Sequence, residues 1–292
     1  MDLRWAYYQL LTQDINAMDS GSAIPSTSRS DFYALPVLVP PRVEQRGIAA
    51  TLGALDNKIE SNRRVTALAV QLAQTGLLGG SDSVRLGDVA ALDKGVSYKG
   101  SGLEDQLSAT ARPLVNLGNF PVGSGWMNRD KIKFYSGDYR DRHVVTPGDV
   151  VVANTDLTQQ RAVLGRAVLI PPDLGPSLFS HHVFAIRFHA REDLRLALWA
   201  QLATSSARER LTGYATGTTV AALPREALLE FSIAAPDSSD AATEAEALLA
   251  LVWERERETS SLAALRDALL PELLSGRIRV SEAGEAVESA LA

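Results

Sequence analysis

The chain contains no cysteine among its 292 residues. That excludes a disulfide scaffold, a thiol nucleophile and any cysteine-ligated zinc or iron–sulfur centre. It has no uninterrupted apolar run near the ~20 residues needed to span a bilayer. Its N-terminus, MDLRWAYYQLLTQD, lacks the basic-then-apolar layout of a signal peptide. A cytoplasmic protein with no membrane partner is expected. Aromatic residues are scarce at 6%, but 46% hydrophobic and 22% charged residues make an ordinary globular composition. A chain of this length can bury one large core or two smaller ones.

The net charge of −6 argues against a nucleic-acid partner until it is divided along the chain. Residues 1–81 carry 7 basic and 7 acidic side chains, and residues 82–235 carry 17 and 16. Residues 236–292 carry 5 basic and 12 acidic side chains, so the excess acid is confined to the C-terminal segment. Whole-chain charge therefore says little about what the middle segment touches.

Two segments have the pattern of long helices. The first is expected over Arg42–Gln74, after Pro40-Pro41, with Ile48, Leu52, Leu55, Ile59, Leu68 and Leu72 as its apolar seam. The glycines of TGLLGGSDS should stop it and make a hinge. The second is expected over Asp240–Leu270, with Leu248, Leu251, Leu262, Leu265 and Leu269 as its seam and Pro271 ending or kinking it. Each would be ~45–50 Å long, too long to bury a narrow stripe alone. The two suit each other as an antiparallel coiled coil; periodicity alone also allows two unrelated bundle helices. Between them, residues 83–235 read as mixed α and β, with strands in DVVVANT, RAVLGRAVLIPP and SHHVFAIRF and a helical stretch over Glu192–Leu211. GYATGTTV reads as loop and edge strand.

An internal repeat orders these parts. At an offset of 196, Gly21 meets Gly217, Arg29 meets Arg225 and Pro40 meets Pro236. Ser22/Thr218, Ile24/Val220, Phe32/Leu228 and Val37/Ile233 are conservative matches. Each copy follows an amphipathic helix (Leu3–Ile15, Glu192–Leu211) and precedes a long one.

On these features the chain resembles the specificity subunit of type I restriction–modification systems, in which recognition domains alternate with long helices. The resemblance is carried by PPRVEQRGIAATLGALDNKIESNRRV, GYATGTTVAALPREALLEFSIAAP, LRDALLPELLSGRIRV, LGDVAALDKGVSYKG and GDVVVANTDL. It implies an α+β fold: a mixed α/β target recognition domain plus two long helices forming an antiparallel coiled coil. The expected division is 1–40, the C-terminal remnant of a first recognition domain; 41–80, long helix 1; 81–236, the recognition domain; 237–278, long helix 2; and 279–292, a C-terminal tail. The first 40 residues match only the end of a recognition domain, which leaves two readings: a truncated or rearranged gene, or a one-domain form that pairs with another copy.

Catalytic signatures are missing. There is no Asn-Pro-Pro-aromatic methyltransferase motif, no glycine-rich nucleotide loop, no GxSxG elbow, and GLLGGSDS lacks a P-loop lysine. His181-His182 falls in a β-like run, which would point the two rings to opposite faces and away from a shared metal. A non-catalytic DNA-recognition subunit with no cofactor and no metal is expected. Its implied partners are double-stranded DNA, methylation subunits, a restriction subunit and, for a one-domain form, a second specificity chain or a homodimer. The alternative is a truncated chain that acts as an assembly or regulatory partner without reading DNA.

DNA reading needs polar side chains on loops and strand ends. Lys94, Ser97, Tyr98 and Lys99 offer amines, a hydroxyl and a ring on one turn. Asn154 and Thr155, with Gln159, Gln160 and Arg161, offer amides for adenine and a guanidinium for guanine. Tyr214, Thr216, Thr218 and Thr219 offer hydroxyls for phosphates or thymine methyls. Taken singly, each group equally fits a solvated loop. Asp56, Glu60, Arg63 and Arg64, expected on the outer face of the first helix, fit either a docking surface for a partner subunit or a solvated face.

Overall fold

The computed structural model describes residues 1–18, 28–122, 126–158, 160–238 and 240–291. They form two compact units, one of Met1–Val65 with Glu254–Ala292 and one of Thr66–Trp253. No helix among the described residues is long and apolar enough to cross a membrane.

In the first unit α1 (Leu3–Leu11) is capped by Asp2, whose carboxylate accepts from the amides of Arg4 and Trp5. It is shorter than the Leu3–Ile15 expected, and a separate 3₁₀ turn covers Ile15–Met18. Next come α2 (Arg29–Tyr33) and α3 (Arg42–Gly76). The first unit takes α3 up to Val65 and pairs it with the C-terminal part of α8 (Ala241–Leu274), with α9 (Val280–Leu291) alongside. The core is built from Trp5 and Tyr8 of α1, Ile48, Leu52, Leu55 and Ile59 of α3, Leu262, Leu269 and Leu273 of α8, and Ala283 and Val287 of α9. The pairing is antiparallel: Asp56 meets Arg266 at 3.0 Å and Lys58 meets Glu258 at 3.1 Å, so numbers rise on one helix as they fall on the other.

The seam of α3 departs from the expected one in its second half. Leu68 and Leu72 are 66% and 60% exposed, whereas Asn62, Thr66, Ala69, Val70 and Ala73 are buried. The stripe Gln45, Ile48, Leu52, Leu55, Ile59, Asn62, Thr66, Ala69, Ala73 alternates steps of three and four, a heptad that passes through polar residues. The large aliphatic residues there, Leu68 and Leu72, stand off the register. On α8 the central positions are likewise Leu249 and Val252, with Leu248 and Leu251 packed partly buried beside them. Pro271 does not end α8, which continues to Leu274. Proline removes one N–H, and this close to the C-terminus that forfeits a single helical bond. The last segment, read as a tail, forms α9.

In the second unit the sheets are short. A four-stranded sheet runs β2 (Ala90–Lys94), β11 (Val183–Phe188), β7 (Val150–Ala153), β9 (Ala167–Leu169), antiparallel throughout. A five-stranded sheet runs β3 (Leu103–Glu104), β5 (Lys133–Tyr135), β4 (Arg112–Val115), β10 (Ser177–Phe179), β6 (Val144–Val145), with β10 parallel to β4. Two ribbons pair β1 (Ser83–Arg85) with β13 (Ser232–Ala234) and β8 (Thr155–Asp156) with β12 (Ala221–Ala222). All four residues of β7 are buried, as expected for a central strand covered on both faces. Helices α4 (Leu86–Val89), α5 (Arg195–Leu202), α6 (Ser205–Gly213) and α7 (Arg225–Leu229) complete the unit. The stretch read as one helix over Glu192–Leu211 is thus broken, because Thr204 leaves the helix to cap Ala207 through its hydroxyl. Ala69, Val70, Ala73 and Leu77 at the end of α3 pack into this core together with Ala241, Ala245, Leu249 and Val252 of α8.

The repeat has a structural counterpart. α2 and α7 are both five residues long and begin on the matched Arg29 and Arg225. Gly21, Ser22 and Ile24 lie outside the described residues. The copies then diverge: Ile233 is fully buried where β13 pairs with β1, while its counterpart Val37 is 39% exposed. The glycine hinge after α3 is sterically required. A Cβ on Gly80, whose φ is +96°, would lie 1.7 Å from the carbonyl oxygen of Ala235.

Candidate nucleic-acid interface

The polar segments singled out in the sequence are brought together in the second unit by backbone pairing between distant loops. The Lys94–Lys99 turn leaves β2 and docks on the end of β10. Val96 N donates to Phe179 O at 2.8 Å, and His181 N donates back to Val96 O at 2.9 Å. Gly95 sits where a Cβ would come within 2.1 and 2.3 Å of the carbonyl oxygens of Phe179 and Ser180, so only glycine allows this approach. The contact presents Lys94, Ser97 and Lys99 exposed and Tyr98 half-buried. The Tyr98 ring meets Tyr135 edge-on at 6.2 Å, lies 6.3 Å from His181 and has Lys133 Nζ 5.6 Å from its centroid.

His181 and His182 are not on a strand. They form the turn between β10 and β11, and their rings lie against each other at 3.8 Å. The opposite-face expectation fails because the strand begins only at Val183. His182 Nδ1 lies 2.8 Å from Thr155 Oγ1. Burial holds the His182 pKa below the usual histidine range, and the neighbouring His181 and Lys94 push it the same way. His181 Nδ1 and Ser180 Oγ are buried with no hydrogen-bond partner among the described residues. Orphaned polar atoms of this kind are costly and call for an explanation. The sequence alone does not mark either histidine as a contact residue, because their closeness to Tyr98 and Thr155 depends on pairings far apart in the chain.

Asn154 is 3% exposed and donates through Nδ2 to His181 O at 3.2 Å, so its amide holds the histidine turn in place. Thr155 is half-buried beside it. Asp156, only 1% exposed, organises the next loop. Its Oδ1 accepts from the Thr158 amide and hydroxyl, both at 2.7 Å, and its Oδ2 accepts from Val163 N at 2.7 Å. Gln159 lies outside the described residues. Gln160 is exposed, and Arg161, at φ +49°, donates through a guanidinium N–H to Thr212 O at 3.2 Å. Arg208 reaches the carbonyls of Gln160 and Arg161, both at 3.3 Å. Gln160, Arg161, Ser205, Arg208 and Thr212 line a cavity of ≈ 450 Å³.

Thr216 and Ala222 exchange backbone hydrogen bonds of 2.9 and 2.8 Å, closing a hairpin that leaves Thr216, Thr218 and Thr219 exposed at its tip. Its return strand β12 pairs with β8, which sets the hairpin beside Thr155 and Asp156. Tyr214, 54% exposed, follows α6 directly. The result is a continuous polar strip: the Lys94–Lys99 turn, the histidine turn, β8 and its loop, and the threonine hairpin.

The first unit holds the other candidates. Glu60, Arg63 and Arg64 are exposed on α3, with Glu60 and Arg64 paired at 3.1 Å. Asp56 does not lie on the outer face: it accepts from Tyr8 Oη at 2.5 Å and from Arg266 at 3.0 Å. Burial, followed by this hydrogen bond to Asp56, raises the Tyr8 pKa.

Among solved structures, the chain is similar to the type I restriction–modification system S subunit from M. genitalium. The two are 18% identical over 94% of this chain and 72% of that one, with a TM-score of 0.57. The HsdS subunit from Thermoanaerobacter tengcongensis matches at 19% identity over 99% of this chain and 70% of that one, with a TM-score of 0.38. A chain from a structure concerned with complex assembly and conformational transition of the type I R-M system matches at 19% over 92% and 67%, with a TM-score of 0.41. No protein-family model and no curated protein matches the sequence. The α+β fold with two long helices is that of the M. genitalium S subunit.

Proposed function

We propose that the chain is the sequence-specific DNA-recognition subunit of a type I restriction–modification complex and performs no chemistry itself. The observation that carries this reading is the fold shared with an S subunit over 94% of the chain. In this reading residues 81–236 are a target recognition domain, and the polar strip faces the duplex. Lys94 and Lys99 take backbone phosphates, which fixes position without reading sequence. Gln160, Thr216, Thr218 and Thr219, exposed on loops, reach base edges. Arg161 and Asn154 hold the loops that carry such groups. The long helices over 41–80 and 237–278 carry methylation subunits, with Glu60, Arg63 and Arg64 as docking charges, and a restriction subunit joins the same assembly. Residues 1–40 correspond to the closing part of a recognition domain, a reading supported by the matched α2 and α7. The setting is cytoplasmic.

The test is the methylome of cells that co-express the chain with a type I methylation subunit. One new methylated motif is expected. Replacing Gln160 with alanine should change the motif at the base position it reaches, at a cost of ~1–3 kcal/mol. A genome with no newly methylated motif would sink the reading.

A further inference from the structure

Next to the Lys94–Ser97 turn lies a groove of ≈ 530 Å³ lined by Lys94, Ser97, Asp138, Tyr139, Arg140, Arg142 and His143. None of Lys94, Arg140 and Arg142 forms an ion pair with a carboxylate among the described residues, although Asp138 lies in the same groove. Arg187, close by, is the opposite case. It meets Asp93 and Asp149 at 3.1 Å each and donates to the carbonyls of Arg142 at 3.2 Å and Val144 at 2.6 Å. Arg187 is therefore a neutralised strut that fixes the turn, while Arg140 and Arg142 are exposed and make no ion pair among the described residues, although Asp141 stands between them in the chain.

His143 completes the support. The residue is 8% exposed, and its Nδ1 accepts the backbone N–H of Arg140 at 3.2 Å. The bond requires Nδ1 to carry no proton. Burial, and then the charges of Arg142 and Arg140, hold the ring neutral, against a smaller opposing pull from Asp93. A neutral imidazole thus holds the backbone of a turn whose Arg140 and Arg142, with Lys94, outnumber Asp138, the one carboxylate lining the groove, by three to one.

We infer that the Arg140–His143 turn, together with Lys94, is a phosphate-binding arm for the backbone of duplex DNA, with His143 as its positioning residue. The inference rests on the DNA-recognition reading and extends it, since Lys94 and Ser97 belong both to this groove and to the polar strip. Cations without carboxylate partners on a fixed turn have no ion pair to break before they meet a phosphate, and each phosphate neutralised releases counterions. The arm contributes affinity and orientation and leaves base choice to the loops.

The test is fluorescence anisotropy of the purified chain with a short mixed-sequence duplex across a salt series. Arg140→Gln and Arg142→Gln should each weaken binding and reduce the slope of log K against log salt by about 0.9, the double variant by about twice that. The charge-conserving Arg140→Lys with Arg142→Lys should keep the wild-type slope. His143→Asn, which retains an acceptor for the Arg140 amide, should stay near wild type, and His143→Leu should lose slope as the arginine variants do. An unchanged affinity and slope in the Arg140→Gln, Arg142→Gln double variant overturns the arm. So does a wild-type chain with no DNA affinity at low salt. The recognition reading is judged separately, by the methylome.

Discussion

Histidine is where single residues carry the most testable physics in this protein. The folded state holds His143 and His182 below the usual histidine range, mainly by burial and then by cationic neighbours. In the unfolded chain both titrate near pH ~6.5. Below that pH the unfolded state binds protons that the folded state refuses, so stability falls as pH drops from about 6.5 toward the folded-state values. The denaturant midpoint, followed by tryptophan fluorescence, should therefore decline between pH 7 and pH 5, taken as roughly the histidine window. His143→Gln with His182→Gln should flatten that decline; an identical slope in the variant would rule the pair out. The residue types along the strip were visible in the sequence. Their roles were less so: Asn154 and Arg161 have donors suited to base edges, yet the structure bonds both to backbone carbonyls.

At the scale of elements, the repeat shows how context decides what a sequence motif does. Val37 and Ile233 occupy matched positions after matched five-residue helices, but only Ile233 has a partner strand and full burial. Ile233→Ala should cost about 2–5 kcal/mol, as deletion of a buried aliphatic side chain does. Val37→Ala should stay within about 0.5 kcal/mol, as exposed substitutions do. Urea unfolding of the two variants checks both figures, and equal losses would contradict the difference in burial. The long helices were legible because a three–four stripe is a local property of the chain. Their inner registers were less so, because Asn62 and Thr66 occupy seam positions that look polar in sequence, whereas Leu68 and Leu72 look apolar and stay in solvent.

For the molecule as a whole, the −6 charge is unevenly distributed, with the acidic excess after residue 236 and the cationic groove and polar strip before it. A net-negative chain is compatible with DNA binding because phosphates respond to the field within about a Debye length, ~8–10 Å, of the contact surface. If the chain only recognises, then incubating it alone with DNA and a labelled methyl donor should transfer no label and cut no strand. Addition of the methylation partner should restore transfer. Label incorporated by the chain alone would overturn the non-catalytic reading; its motivation is the missing donor-binding and catalytic motifs.

Local periodicity and turn chemistry were enough to place α3 and α8, the glycine hinge and the strand-rich middle, since each depends on residues within a few turns of one another, and the repeat needed only the sequence compared with itself. A narrow stripe that long has to be covered, but periodicity left its partner open; the antiparallel pairing is decided by contacts such as Asp56 with Arg266 and Lys58 with Glu258. The arrangement of the candidate site did not follow. Thr155 and His182 are 27 positions apart, Arg187 and Asp93 94 apart, and they meet only because β11 pairs with both β2 and β7 in one register. Strand register comes from the packing of the whole sheet against its core. Which polar groups face solvent and which are spent inside is therefore settled by long-range pairing, which no window of the sequence contains.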